Sequence, residues 1–388
     1  MKNSSNDYVI QVLGSPADLD SGEWNALLAR QEAPSPFMRL EYLAAMEQSK
    51  SATPATGWTP RFFTLRREGQ LVAGCALYLK DHSYGEYVFD WAWANAYEQH
   101  GLAYYPKAVI ATPFTPVPGA RLLAVDAHAR QALIDAVVQW CRKQKLSSLH
   151  LLFAGEEDTA ACAAAGLMLR HTVQFHWTNT GWTDFDAFLA SLAHDKRKKI
   201  RQERRKVAQA GVAFRWARGA DIAPADWDFF YRCYERTYYE HGNLPYLKRD
   251  FFRRMAREMP ENWLLFVAEQ AGKPIASSLI ALETTQSGEK VAYGRYWGAL
   301  ARVDCLHFEA CYYQPLQWCI ANGWDRFEGG AQGEHKMARA LMPVKTTSAH
   351  WLAQPAFADA VERFLEREGE GIANYLEHLE QRSPFRQG

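Results

Sequence analysis

The chain has 388 residues, which is too many for one ordinary hydrophobic core and indicates two domains. Its 44 basic and 44 acidic residues cancel, so an anionic partner must be attracted by a local patch rather than by the whole molecule. Seven scattered cysteines do not resemble a disulfide framework and indicate reduced thiols. The polar residues 1–7 and the lack of a long apolar run predict a cytoplasmic protein without a membrane span.

In the first half, residues 69–79 predict a turn followed by a buried strand, and the Tyr-Gly-Glu-Tyr sequence at 84–87 predicts the next strand of a hairpin. The remaining patterns predict helices at 91–101 and 131–145, and strands at 149–153 and 172–177. The polar, turn-prone stretch 179–183 marks the predicted boundary between a domain of residues 1–178 and a domain of residues 179–388.

A helix predicted at 184–207 carries the main charge anomaly of the chain. Residues 196–206 hold eight basic side chains in eleven positions, among them Arg197, Lys198 and Arg201. A thin apolar stripe makes the helix amphipathic. Such a cationic face can bind the phosphates of RNA, of a nucleotide-linked substrate or of an acidic lipid headgroup, or it is simply a solvated helix surface.

The second half repeats the first. Residues 272–282 match 69–79, and Tyr-Gly-Arg-Tyr at 293–296 matches 84–87, which predicts a duplication. A helix at 306–323, with Asp304 as its N-cap, and a strand at 324–328 follow. Each half is therefore predicted to be mixed α/β.

A glycine-rich loop follows the strand predicted at 324–328. Its glycines permit a close approach of the backbone to a ligand, and a lysine beside exposed amides can hold an oxygen on which negative charge develops. The alternative is a turn that needs positive φ. The candidate residues here are Glu328, Gly330, Gln332, Gly333, His335, Lys336 and Arg339.

Further candidates lie between the basic helix and this loop. Arg295 is not shared by the repeat, because Glu86 stands in its place. Glu309 and Tyr313 are spaced to share a helix face, and a carboxylate at Glu309 or Glu328 could accept the proton of an attacking amine. His307 and Tyr313 are candidates for substrate binding. In the first half, His82, Tyr84 and Glu86 either bind substrate or form a structural strand and turn.

The sequence contains no metalloprotease helix motif, no Cys-x-x-Cys pair, no phosphate-binding loop of the nucleotide hydrolases and no serine-esterase elbow. Metal-dependent hydrolysis, nucleotide hydrolysis and esterase chemistry are therefore disfavoured.

Several segments together resemble a known family: HSYGEYVFDW at 82–91, DKRKKIRQERR at 195–205, GRYWG at 294–298, CLHFEACYY at 305–313 and GAQGEHK at 330–336. With them the chain is similar, over nearly its full length, to the FemAB-like group of N-acyltransferases, which are labelled peptidoglycan biosynthesis or recognition proteins. That group is similar in turn to the Fem ligases, whose two tandem GNAT-type domains transfer an aminoacyl group from charged tRNA to an amine of a peptidoglycan precursor.

The resemblance implies two tandem GNAT-like acyltransferase domains and no tightly bound cofactor. Residues 197–201 resemble the R-x-x-I-R helix of the ligases, and Lys336 resembles the lysine that their glycine loop places near the carbonyl or phosphate. The sequence departs from CoA-dependent GNAT enzymes, because residues 299–305 lack the glycines that hold the CoA pyrophosphate. It departs from the ligases too, since His335-Lys336 replaces their aromatic-lysine pair.

The resulting hypothesis is an N-acyltransferase that uses aminoacyl-tRNA, or else acyl-CoA, to acylate a small-molecule or peptide amine. Lys336 and loop amides would stabilise the developing negative charge, Glu309 or Glu328 would accept the proton, and Arg197, Lys198 and Arg201 would hold donor phosphates. The alternatives are an acyl-CoA-dependent N-acetyltransferase and a non-catalytic protein that recognises peptidoglycan precursors.

Overall fold

The structure is a computed structural model that describes residues 8–331 and 333–386. The polar N-terminal residues 1–7 and the candidate Gln332 lie outside the described residues. The chain divides into two compact units. Unit 1 comprises Met1–Thr172 and Thr346–Ala373, and unit 2 comprises Val173–Lys345 and Asn374–Gly388. Both units are mixed α/β, as predicted.

The strands follow in chain order: β1 (Val9–Leu13), β2 (Trp58–Arg67), β3 (Gln70–Lys80), β4 (Lys107–Ile110), β5 (Leu123–Ala124), β6 (Ser148–Ala154), β7 (Met168–Thr178), β8 (Val212–Arg218), β9 (Trp263–Gln270), β10 (Lys273–Thr284), β11 (Lys290–Ala299), β12 (Arg326–Ala331) and β13 (Met342–Leu352).

The α-helices are α1 (Ser21–Ala29), α2 (Leu40–Gln48), α3 (Trp91–Gln99), α4 (Ala127–Lys143), α5 (Glu156–Ala164), α6 (Phe185–Ser191), α7 (His194–Gln209), α8 (Pro224–Glu240), α9 (Arg249–Glu258), α10 (Leu306–Phe308), α11 (Gln314–Ala321) and α12 (Pro355–Glu380). A π-helix, Glu309–Tyr313, joins α10 to α11, and a 3₁₀ segment covers Glu334–Arg339.

The two units share one pattern of strand pairing. In unit 1, β1, β2, β3 and β4 pair antiparallel in sequence order, β4 pairs parallel with β6, and β6 pairs antiparallel with β13. In unit 2, β8 to β11 pair antiparallel in order, β11 pairs parallel with β12, and β12 pairs antiparallel with β7. This correspondence is what the duplication in the sequence predicts.

The repeated segments of the sequence form the same local structure. Glu68 and Gly69 between β2 and β3, and Ala271 and Gly272 between β9 and β10, all have φ between 50° and 81°. Two successive residues with positive φ form the tight hairpin turn whose twist matches that of the flanking strands. The strands predicted at 69–79 and 272–282 are therefore confirmed as β3 and β10.

The division of the chain differs from the predicted break after residue 178. The observed division falls six residues earlier, inside strand β7, whose residues 173–178 belong to unit 2. Residues 346–373 belong to unit 1, because β13 pairs with β6 between Thr347 and Leu352. A boundary placed at a turn-rich stretch cannot account for pairing between strands so distant in sequence.

The strand predicted at residues 84–87 is wrong. These residues form turns and bends, and Gly85 (φ 83°) and Tyr87 (φ 63°) are left-handed, which interrupts any extended run. The cause is the buried ammonium of Lys107, which lies 2.8 Å from Ser83 Oγ and from Glu86 Oε2 and draws the loop inward. In the second half, residues 293–296 lie inside β11, as predicted.

The single helix predicted at 184–207 is also wrong, because it is broken into α6 and α7. Leu192 is extended (ψ 154°), and the freed backbone groups bond to the end of the chain: Ala193 N donates to Pro384 O (2.8 Å) and Arg386 N donates to Ser191 O (3.0 Å). The start at residue 184 is confirmed, since the Asp184 side chain caps α6.

The N-cap predicted at Asp304 is incorrect, although the helical region 306–323 is confirmed. Cys305 (φ 64°) occupies the N-cap of α10, and its side chain makes no capping bond. The helix then widens into the π-helix after one turn. Such wide turns are rare and often occur at functional sites.

One glycine tests the packing of α8 on β11. A Cβ at Gly298 would lie 1.8 Å from the carbonyl oxygen of Cys233 in α8. We expect Gly298→Ala to lower the free energy of unfolding by about 1–3 kcal/mol, because α8 must move. Gly369→Ala in α12 is the control. A Cβ at Gly369 would have no atom within 4 Å, so the free energy of unfolding is expected to rise by up to about 1 kcal/mol. Urea titration measures both, and equal effects would contradict this account.

Candidate functional site

Strands β11 and β12 diverge in unit 2. They pair in parallel only from Val291 to Tyr293 and from Arg326 to Glu328, although β11 continues to Ala299 and β12 to Ala331. A cavity of about 150 Å³ opens beyond the last pair. We call it the strand cavity; it is lined by Ser278, Ile280, Gly294, Arg295, Tyr296, Trp297, His307, Cys311, Tyr312, Phe327 and Gly329.

Arg295 is placed at this cavity by a β-bulge. Leu279 of β10 pairs with Tyr296 and the next residue, Ile280, pairs with Gly294, so Arg295 is the extra residue of β11. Bulges redirect side chains and are common next to active sites. The Arg295 guanidinium lies 5.0 Å from the centre of the Tyr296 ring. The structure thus supports Arg295 as a residue of the cavity.

His307 brings a titratable group to the strand cavity. Its ring contacts Trp297 edge-on at 5.4 Å and Tyr312 at 5.8 Å. Burial, reinforced by the nearby His335 and Arg339, lowers the pKa of His307 to about 4. The imidazole is therefore neutral at pH 7 and has a lone pair with which to accept a proton.

Tyr313 and Arg339 form a buried scaffold beside the cavity. Tyr313 Oη donates a hydrogen bond to the carboxylate of Glu203 in α7, and Arg339 donates to the same oxygen (2.8 Å). The Arg339 guanidinium stacks 3.7 Å from the centre of the Phe308 ring. It also donates to the His335 carbonyl (2.7 Å). These contacts join α7, the π-helix and the glycine-rich loop.

Glu203 is not among the candidates predicted from the sequence, although the pattern of α7 contains a signal for it. Ile200, Glu203 and Val207 fall on one face of α7, and all three are buried. An acidic residue in the apolar stripe of an otherwise basic helix indicates a buried cationic partner, which the structure identifies as Arg339.

Lys336 closes the end of β12. Its ammonium donates to the carbonyl oxygens of Gly329 (2.7 Å), Gly330 (3.2 Å) and Ala331 (2.8 Å). Burial lowers the pKa of Lys336 to about 8. All three ammonium protons are used in this conformation, so Lys336 shapes the loop that ends at the strand cavity. Its role as an oxyanion donor stays a prediction.

The glycines of this loop are needed for its path. Gly330 (φ 74°) and Gly333 (φ 91°) are both left-handed. A Cβ at Gly333 would lie 2.3 Å from the His335 ring. His335 lies in a separate recess of about 480 Å³, together with Lys196 and Glu334.

The two carboxylates predicted as bases do not line the strand cavity. Glu328 alternates along β12 with Phe327 and Gly329, which do line it, so its side chain lies on the other face of the sheet. There it lies 3.3 Å from Arg326 Nε, and burial raises the pKa of Glu328 to about 7. Glu309 is buried against Arg204 (3.0 Å) and accepts from Gln314 (2.7 Å).

Glu309 and Arg201 instead line a larger cavity of about 510 Å³. We call it the arginine groove; its lining residues are Phe185, Asp186, Leu189, Arg201, Arg204, Arg205, Val207, Ala208, Val212, Phe214, Glu309 and Gln314. Arg197 and Lys198 lie on the preceding turn of α7. The structure therefore brings Arg201 together with Glu309, and Arg295 together with His307, in two different places.

The candidates of the first half belong to unit 1. Tyr84 is 60% exposed and contacts His82 and Trp91 edge-on. Glu86 is buried against Lys107, and burial raises the pKa of Glu86 to about 7. Glu86 therefore anchors the loop, whereas His82 and Tyr84 remain accessible.

Neither a metal-ligand cluster nor a membrane-spanning helix is found among the residues that the structure describes. Among residues 8–331 and 333–386, no three His, Cys, Asp or Glu side chains are grouped as metal ligands would be. Over the same ranges, every helix is too short or too polar to cross a bilayer.

The sequence profile of the FemAB-like family, described as peptidoglycan biosynthesis/recognition, matches residues 15–387. The chain belongs to this family. The resemblance predicted from the sequence is thereby confirmed. No curated protein sequence matches the chain significantly.

Solved structures show the same fold at low identity. FemX is 11% identical with a TM-score of 0.54, over 89% of this chain and 98% of its own. The C-terminal domain of a putative lysylphosphatidylglycerol synthetase from Agrobacterium fabrum is 11% identical, with a TM-score of 0.54 over 90% and 97%. L-PGS from Bacillus licheniformis is 11% identical, with a TM-score of 0.53 over 92% and 99%. The tandem acyltransferase-type fold predicted for this FemAB-like chain is thus confirmed.

The pKa of Glu328 gives a pH-dependent prediction. Because the pKa of Glu328 is higher in the folded state, protonation of this carboxyl stabilises the folded protein at low pH. This stabilisation is lost as the pH rises from about 4.5 to about 7. Relative to Glu328→Gln, which cannot ionise, the wild type should lose roughly 3 kcal/mol of stability over this window. Urea titrations of both proteins at pH 4.5, 6 and 7.5 measure the difference; a pH-independent difference would refute the assignment.

Proposed function

We propose that this FemAB-like protein is an N-acyltransferase and that the strand cavity of unit 2 is its reaction site. The observation that supports this most directly is the divergence of β11 and β12 beyond Tyr293 and Glu328. Beyond these residues the two strands no longer bond to each other, and on the β12 side the carbonyl oxygens of residues 329–331 accept from Lys336. An extended acyl donor can enter the gap between the strands, where a backbone amide can stabilise its carbonyl oxygen.

The chemistry needs a proton acceptor beside the carbonyl. As the amine nitrogen bonds to the acyl carbon, one proton must leave the nitrogen while the bond to the leaving oxygen or sulfur breaks with its electron pair. We propose that this proton is accepted by neutral His307 rather than by Glu309 or Glu328. Negative charge developing on the carbonyl oxygen beside the imidazole raises its proton affinity at the moment of attack. The same proton can then pass to the leaving group.

Aminoacyl-tRNA remains the proposed donor. The side chains of Arg197, Lys198 and Arg201 have no ion-pair or hydrogen-bond partner among residues 8–331 and 333–386, so their charges are available to phosphates. The region before α10 favours tRNA over CoA, because α10 becomes a π-helix after Phe308 and does not offer the regular helix N-terminus that holds a pyrophosphate. The family description supports a peptidoglycan-precursor amine as the acceptor.

A parallel binding experiment tests the donor. The wild type and an Arg197→Ala/Arg201→Ala variant are titrated with bulk charged tRNA and with acetyl-CoA at 50 and 200 mM salt, roughly the range over which phosphate contacts weaken strongly. We expect tRNA binding that weakens with salt, and a variant whose log–log salt slope is smaller by about 2. Arg253→Ala/Arg257→Ala on α9 is the matched control.

Binding of acetyl-CoA alone would replace the proposed donor by a CoA thioester. Binding of neither compound would favour the non-catalytic recognition protein. A salt slope that changes equally in the control variant would show that tRNA contacts the surface without using α7.

The proton acceptor is tested by His307→Gln, with the donor that the binding experiment identifies. We expect kcat to fall by about 10²- to 10³-fold with little change in KM, because the substitution removes the basic ring nitrogen but keeps a polar side chain of similar size. His378→Gln, on the exposed face of α12, is the control. An unchanged kcat in His307→Gln would reduce His307 to a lining residue.

A further inference from the structure

Arg295 lines the strand cavity, and the proposed proton transfer gives it no role. A β-bulge adds a residue to one strand of a pair, so its side chain can be directed at a site instead of following the alternation of the strand. Arg295 is such an extra residue of β11. It is half-buried, as are Tyr296 and Trp297 after it, so a ligand in the cavity can reach all three side chains.

The guanidinium of Arg295 is held against an aromatic ring. It lies 5.0 Å from the centre of the Tyr296 ring. That ring in turn packs edge-on against Tyr234 of α8 (5.4 Å) and Phe252 of α9 (5.6 Å). A cation–π contact uses the face of the guanidinium, whereas its N–H groups lie in the plane and donate to carboxylates as a fixed fork. The side chain is therefore positioned before any ligand binds.

The lining of the strand cavity is positively charged. Among the residues that the structure describes, it includes no aspartate or glutamate, and Arg295 gives it a positive charge. The surroundings add to this field. Burial lowers the pKa of His307 to about 4, and the nearby Arg339 and Lys336 act in the same direction. Neighbours that disfavour a cation at this place favour an anion there.

The carboxyl group of Glu328 does not cancel this charge. It lies on the other face of the sheet, 3.3 Å from Arg326 Nε. Burial raises the pKa of Glu328 to about 7, while Arg326 and Arg295 oppose the rise. A carboxyl group with this pKa is partly protonated at neutral pH. The charge of Arg295 is therefore left to act on the contents of the cavity.

We propose that Arg295 binds a carboxylate of the acceptor, so that the strand cavity takes amines that also carry a carboxylate, such as amino acids and peptides. This inference rests on the proposed acyl transfer and names the class of acceptor for it. The volume of about 150 Å³ suits such a group. A cavity of roughly this size holds about six non-hydrogen atoms, the number in benzene. A carboxylate fits within it and matches the arginine fork, whereas a phosphate that links two sugars is too large.

The carboxylate belongs to the acceptor rather than to the donor. The carboxyl group of the donor is the ester or thioester that reacts, and it carries no negative charge. An acidic acyl group such as aspartyl would be the exception. An acceptor amine enters as an ammonium ion, which the charge of Arg295 repels. A carboxylate on the same molecule offsets this repulsion and holds the amine in the cavity.

Matched pairs of acceptors test the proposal, with the donor that the binding experiment identifies. Nα-acetyl-lysine and Nα-acetyl-lysinamide differ in the carboxylate alone, as do glycylglycine and glycylglycinamide. We expect kcat/KM to be about ten- to a hundredfold higher for the carboxylate member of the preferred pair, the range for one charge-assisted, hydrogen-bonded pair. The difference should lie in KM, because the carboxylate is bound before and during the reaction.

Variants of Arg295 locate the effect. In Arg295→Gln the preference should disappear, because KM rises for the carboxylate and does not rise for the amide. Arg295→Lys keeps the charge but loses the fork, so it should retain part of the preference. Arg302→Gln, an exposed arginine shortly after β11, is the control and should keep all of it. Turnover of the amide shows that a variant is folded, and Arg295→Lys carries the test if Arg295→Gln does not fold.

Three results would overturn the proposal. These are equal kcat/KM within each pair, a preference that persists in Arg295→Gln, or a fall in kcat in Arg295→Gln that is equal for carboxylate and amide. In the first case, a preference for an aspartyl over an asparaginyl donor would show that the carboxylate enters with the acyl group. The last result would make Arg295 a group that acts on the reacting carbonyl.

Calorimetric titration of the acceptors without a donor separates this inference from the proposed function. The wild type should bind the carboxylate member more tightly than the amide, and Arg295→Gln should bind both alike. Such binding without turnover by any donor would contradict acyl transfer but uphold Arg295 as a binding residue. Turnover without any preference for the carboxylate would uphold acyl transfer and overturn the role of Arg295.

Discussion

The arrangement of unit 2 depends on one buried carboxylate. Glu203 accepts hydrogen bonds from Tyr313 and Arg339, which come from the π-helix and from the 3₁₀ segment after the glycine-rich loop. A buried carboxylate without such partners would be strongly unfavourable, so each of the three elements fixes the position of the other two. Because Glu203 points inward, the arginines at 201, 204 and 205 are turned toward the groove. The direction of the basic face thus follows from its single buried acid.

The π-helix divides the two cavities. Glu309, at its start, lines the arginine groove, whereas Cys311 and Tyr312 line the strand cavity. Residues two positions apart lie on nearly opposite sides of a helix, so Glu309 and Cys311 can serve two different sites. A ligand seated against Glu309 and a substrate seated against Tyr312 would contact the same five-residue segment. The two cavities are therefore connected through one short segment of the chain.

Much of the fold could be predicted because its signals are local. The turns at Glu68-Gly69 and Ala271-Gly272 need only adjacent residues, and helix α4 shows its buried face through the spacing of Leu133, Val137 and Cys141. The broken helix at 184–207 and the strand wrongly predicted at 84–87 both involve distant partners. Residue 384 lies far along the chain from the break that it stabilises at Ala193, and Lys107 lies beyond the helix that follows the loop it bends. For the candidate site, the unmatched position in the repeat predicted Arg295, and His307 was a candidate at the start of the following helix, but only the three-dimensional pairing of the strands separates both from Glu328.

Strands β7 and β13 make the two halves of the chain depend on each other. The antiparallel neighbour of β12 consists of residues 174–178, which precede the second copy, and the antiparallel neighbour of β6 consists of residues 347–352, which follow most of it. Each copy of the duplicated domain therefore completes its sheet with a strand encoded in the other copy's stretch of the gene. Neither half of the chain could therefore be deleted without leaving the other half with an unpaired strand edge.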